Sequence, residues 1–185
     1  MTSTVQSAAL QIQLGDIPGP VLALTGVILG AFLTFFFQQI TLNRQRKHDR
    51  QKEMDKLLRE KGEELHQLLS QWGKSTLLYQ LNQLNVVKGI LTEQQFNEIA
   101  KDITLEKGSH DRLETLLFLY FSELEPFMVK VRRSIENGNS AYDLALRGVK
   151  NIKEASKLLC LASDEVNVEL DKIKSGIRRI IQSLN

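Results

Sequence analysis

Few side chains in this sequence are of a type that acts on a proton, a metal or a carbonyl. It holds three histidines and one cysteine among 185 residues. Glu63-Glu-Leu-His66 contains a Glu-x-x-His pair, which puts a carboxylate and an imidazole on one helix face about a turn apart. Di-iron bundles use such pairs on facing helices, but they need two of them plus further glutamates. His48 lies in a basic run and His110 at an expected helix start, and neither is followed by a second ligand at metal spacing. No metal and no cofactor are therefore expected, and His66 is read as part of a solvated helix face. The sequence has no Gly-rich phosphate loop, no Gly-x-Ser-x-Gly elbow and no paired catalytic carboxylates at readable spacing. No catalytic residue is assigned, and the chain is read as a non-enzyme. Cys160 has no internal disulfide partner, which fits a reducing compartment, and is expected to pack as a small apolar residue.

Position is far more legible than chemistry. No charge occurs between Asp16 and Arg44. Val21 to Phe37 is almost wholly apolar and would span roughly 25 Å as a helix; extension to Leu42 reaches the ~30 Å of a bilayer core. Its Val, Leu, Ile and Phe residues give roughly −4 to −7 kcal/mol of gross insertion free energy, with no charge opposing it. Residues 21–42 are read as a transmembrane helix. Arg44, Arg46, Lys47, Arg50 and Lys52 follow, opposed only by Asp49, and residues 1–20 carry no Lys or Arg. Basic residues beside a span stay on the cytoplasmic side, so the N-terminal tail is expected outside and the remainder in the cytoplasm. A cleaved signal peptide is the rival reading. It needs a basic n-region and a small-residue cleavage site, whereas this apolar core ends in Phe35-Phe36-Phe37-Gln38.

The elements follow from punctuation and period. Residues 1–20 form a short tail in which Leu10, Ile12 and Leu14 alternate with glutamines before Gly15, Pro18, Gly19 and Pro20. Residues 43–72 read as a basic juxtamembrane helical stalk, with Met54, Leu58, Leu65, Leu68, Leu69 and Trp72 at helical steps. Residues 73–185 read as a cytoplasmic bundle. Gly73 is expected to break the chain before a helix carrying Leu77, Leu78, Leu81, Leu84 and Val87. Thr92-Glu-Gln-Gln95 reads as a capping box for a short helix with Phe96, Ile99 and Ile103. Ser109 is expected to cap the next helix, Leu116 to Phe121 to be buried, and Pro126 to divide the segment. Asn137-Gly-Asn-Ser140 reads as a turn, with Lys130, Arg132 and Arg133 complementing the helix end before it. From Ala141 onward one long helix is expected. Val149, Ile152, Ser156, Leu159, Ser163, Val166, Leu170, Ile173, Ile177, Ile180 and Leu184 alternate four- and three-residue steps, a heptad seam. The expected fold class is all-α.

Two further patterns bear on partners. Gly26 and Gly30 form a G-x-x-x-G in the span, and Thr34 continues the small-residue stripe, which would let two spans approach closely. The basic cluster would sit among anionic lipid head groups. A net charge of +2 and the lack of aromatics among those charges exclude a nucleic-acid role. The expectation is a single-pass protein of a bacterial inner membrane. It would be a self-associating scaffold or adaptor that recruits or senses an unknown cytoplasmic protein. The alternative is a small membrane-active effector whose oligomerised spans perturb the bilayer on a cytoplasmic trigger. Membrane depolarisation on expression separates the two.

Overall fold

The computed structural model describes residues 19–103 and 106–184, and the expected tail over residues 1–18 lies outside them. Every regular element among the described residues is helical. They are α1 (Gly19–Val87), α2 (Glu93–Asp102), α3 (Ser109–Tyr120), α4 (Glu125–Leu146) and α5 (Ile152–Gln182). The chain divides into two compact units, Met1–Lys52 and Glu53–Asn185, and α1 contributes to both.

In the first unit α1 is apolar on every side. Leu24, Val27, Phe32 and Phe37 are all more than half exposed. Its hydroxyls turn back onto their own helix: Thr34 donates to the Gly30 carbonyl at 2.7 Å and Thr41 to the Phe37 carbonyl at 2.8 Å. Backbone and side chains thus present no unsatisfied donor of these threonines to an apolar medium. This is the one helix among the described residues long and apolar enough to cross a membrane.

In the second unit two clusters of buried side chains hold the helices together. The larger joins Leu65 and Leu69 of α1, Leu113 and Leu117 of α3, Met128 and Val131 of α4, and Val166, Leu170, Ile173 and Ile177 of α5. The smaller joins Val87, Phe96, Ala141, Tyr142, Ala155 and Leu159, with Phe96 edge-on to Tyr142 at 5.8 Å.

The helix limits correct several expectations. Gly73 does not break α1. It is buried, and a Cβ there would lie 2.7 Å from Leu170 Cδ1; Gly62 is placed the same way, 2.5 Å from Ile181 Cδ1. Close packing thus offsets the ~1 kcal/mol that glycine costs a helix. The interior face of α1 is also not the leucine pattern. Leu78 and Leu81 are 41% and 51% exposed, whereas Gln80 and Gln83 are buried.

Asn137-Gly138 is not a turn, because α4 runs through it to Leu146. Gly138 is buried, and a Cβ there would lie 3.1 Å from Gln80 Nε2 and 3.3 Å from Ala162 Cβ. The real turn is at Gly148, with φ +69°, where Val149 N–H bonds the Leu144 carbonyl at 3.0 Å. Asn151 then caps α5 by accepting from the Glu154 N–H at 2.8 Å. The expected single helix from Ala141 is therefore two. Lys130, Arg132 and Arg133 lie well inside α4, away from any helix end: Arg132 pairs with Glu114 and Lys130 sits over the Phe127 ring.

Ser109 is the first residue of α3, and its cap is Gly108, in the left-handed region at φ +84°. Two signals match their expectations. Thr92 and Gln95 form the reciprocal capping box. Pro126 opens α4 after a single 3₁₀ turn, Ser122–Leu124, and so divides the segment.

Ile173 and Ile177 are 0% and 1% exposed. Truncating a buried aliphatic to alanine costs about 2 to 5 kcal/mol, against about 5 to 15 kcal/mol for a whole domain. Ile173→Ala combined with Ile177→Ala should remove most or all of the cooperative unfolding transition. Circular dichroism of the full chain in detergent against urea measures this; a midpoint close to wild type would contradict the packing.

Candidate functional site

Two regions have properties beyond packing. The first is the apolar part of α1 with the basic cluster after it. A Cβ at Gly26 or Gly30 would meet no atom within 4 Å, so the stripe they form with Thr34 is open. Arg44, Arg46, Lys47, Arg50 and Lys52 are all exposed. The apolar stretch and the five cations are consecutive on one helix, so the distance between them is fixed by the rise of about 1.5 Å per residue.

The second region is a polar layer where α1, α4 and α5 meet. Gln80 and Gln83 are 1% and 2% exposed. Ser163 of α5 donates to Gln80 Oε1 at 2.9 Å, and Gln83 donates to Asn139 Oδ1 of α4 at 3.0 Å. Gln80 Nε2, Gln83 Oε1 and Ser156 Oγ are buried without a protein partner. Beside the layer, a cleft of about 390 Å³ is lined by Trp72, Ser75, Thr76, Tyr79, Gln80, Ile103, Ile135 and Asn139.

The heptad residues separate in the structure. Leu159, Val166, Leu170, Ile173 and Ile177 are buried, while Ser156, Ser163, Ile180 and Leu184 are half-buried. Val149 and Ile152 are 68% and 62% exposed, because Val149 lies in the connection after Gly148 and Ile152 is the first residue of α5. Cys160 is exposed rather than packed as an apolar residue, since it lies off the seam on the outward side of α5. Gln80 and Gln83 carry no signal of their own in the sequence, and Gly138 and Asn139 read there as part of a turn. The only signal was indirect: two serines in an otherwise aliphatic seam call for polar partners on the facing helix.

His66 is half-buried and not on a fully solvated face, with Arg178 Nη2 3.5 Å from its Nε2. Burial, then the charges of Arg178 and Lys174, hold its pKa below the usual histidine value. Glu64 is held below the usual carboxylate range, first by its hydrogen bond from Arg112. Among the described residues no group of three or more His, Cys, Asp or Glu side chains is placed to hold a metal ion. What the polar layer offers is hydrogen bonding by uncharged groups. The chain matches no family model, no curated protein and no solved structure.

The His66 environment sets a pH dependence. The folded state binds the imidazole proton less tightly than the unfolded state, whose pKa is about 6.5. Stability from this residue is therefore complete above that value and declines as the pH falls below it. Thermal melts of wild type and His66→Gln at pH 7.5 and pH 5.5 should show the variant losing less on acidification. Equal losses would mean that His66 is not held neutral.

Proposed function

We propose that this chain is a single-pass, membrane-anchored, non-enzymatic scaffold. Residues 21–42 span the bilayer with the N-terminus outside. The helices after the basic cluster form a cytoplasmic bundle that recruits a partner protein. The observation that carries this reading is the apolar run of α1, exposed on every side and followed at once by five exposed cations. A helix that is hydrophobic all round has no stable exposure to water. The cations supply both the retention signal and a contact for anionic head groups.

Self-association belongs to the same reading. Within lipid, helices associate through close van der Waals contact, which small residues permit. The Gly26–Gly30–Thr34 stripe is open, and Thr34 has turned its hydroxyl inward to the Gly30 carbonyl, leaving a smooth surface for a second span. A pore-forming effector would use the same pairing, but the absence of charge along the span weighs against a conducting lining.

Two measurements test the proposal. A green fluorescent protein fused after Asn185 should fluoresce in bacterial cells, and alkaline phosphatase at the same place should be inactive. The opposite pair of signals would reject the orientation. Gly26→Ile with Gly30→Ile should lower span self-association in a membrane two-hybrid assay by about tenfold or more while leaving membrane insertion intact. An unchanged signal would remove the glycines from the interface.

A further inference from the structure

We propose that the cleft beside the polar layer binds a small, uncharged, ring-bearing molecule through the side-chain amide of Gln80. This site is independent of the anchoring role.

The cleft has the size of a small-ligand site, which typically begins near 300 Å³. Its composition restricts the ligand. Trp72, Tyr79, Ile103 and Ile135 give flat and apolar walls, and Ser75 and Thr76 give neutral hydrogen-bonding groups. Among the described residues, no Asp, Glu, Lys, Arg or His lines it. A charged ligand entering it would lose hydration with nothing opposite in return. An aromatic ring fits instead, since aromatic pairs gain from offset or edge-on contact with a side chain such as Trp72.

Gln80 supplies the specific contact. Its Oε1 is engaged by Ser163, so its orientation is set from behind, and its Nε2 is a buried donor with no protein partner. A buried donor left unpaired is costly, and a ligand carbonyl that satisfied it would relieve that cost on binding. Gly138 is what makes this possible. Any side chain there would press on Gln80 Nε2 from the α4 side, so glycine leaves room for the amide. The cleft thus combines a fixed neutral donor with an aromatic wall.

The sequence contains one tryptophan, and Trp72 lines this cleft, so intrinsic fluorescence reports occupancy directly. The probes are benzamide, which has a ring and a neutral carbonyl, and benzoate, which has the same ring with a charge. The protein is the full chain in detergent micelles. Benzamide should change Trp72 emission saturably, with a dissociation constant on the order of millimolar. Benzoate should bind at least about tenfold more weakly, as should benzamide to Gln80→Leu combined with Ser163→Ala, which removes both hydrogen-bonding partners together. Ser75→Phe fills the cleft from its rim, leaves Gln80 in place and should abolish saturation. Circular dichroism confirms that each variant remains folded. A merely linear response to benzamide, equal binding of benzoate, or full binding by both folded variants would overturn the proposal.

Discussion

The helices after Lys52 depend on how closely α5 can lie against α1. The pairs that touch are Gly62 with Ile181, Gly73 with Leu170, and Gln80 with Ser163. Position along α1 rises as position along α5 falls, so the two run antiparallel. At two of the three points the α1 residue has no side chain, and the α5 aliphatic occupies the space a Cβ would need. Dispersion falls off over fractions of an ångström, so that approach is what brings Leu65 and Leu69 into contact range of the α5 seam. Gly176 repeats the device on α5, where a Cβ would lie 2.4 Å from Leu124 Cδ2.

Buried uncharged polar groups interrupt this apolar contact at the level of Gln80 and Ser163. A buried hydrogen bond contributes little net stability, but an unmatched partner is penalised by about 1 to 3 kcal/mol. Shifting α5 along α1 by one turn would set an aliphatic seam residue, Leu159 or Val166, against Gln80 and strand its Oε1. The Gln80–Ser163 and Gln83–Asn139 bonds therefore favour one register over its neighbours, a role buried polar residues also fill in coiled coils. Gln80 Nε2, Gln83 Oε1 and Ser156 Oγ, buried without a protein partner, show that the layer is only partly satisfied from within.

Much of this was legible in the sequence, in proportion to how local each cause was. The all-α class, the Thr92–Gln95 capping box and the division at Pro126 rest on interactions within a few residues, and all three appear. What failed turned on distant contacts. Gly73 and Asn137-Gly138 look like breaks because glycine lowers local helix propensity; each is retained in a helix by a neighbour nearly sixty or more positions away in sequence. Gly148 gives the converse case: the heptad pattern from Val149 onward invites a helix extended back through Gly148 to Ala141, although the positive φ there needs a residue like glycine. Counting leucines also misplaced the inner face of α1, since its buried stripe is built from glycines and glutamines as well as leucines.

The seam's burial bears on where chains would meet. Leu159, Val166, Ile173 and Ile177 are at most 1% exposed within a single chain. A coiled coil between chains through those positions would first have to expel Leu65, Leu69 and Leu113 from the cluster of Val166, Ile173 and Ile177, and Val87 and Phe96 from that of Leu159. Each such side chain is worth about 1.5 to 3 kcal/mol of burial, so exchanging partners gains nothing unless the second chain replaces every contact. The apolar run of α1 has no such competitor among the described residues: a Cβ added at Gly26 or Gly30 would meet nothing within 4 Å, and the large side chains around them are more than half exposed. Under the proposed reading, the packing of α5 leaves the apolar run of α1, and not the heptad seam, as the uncovered surface through which copies of the chain would meet.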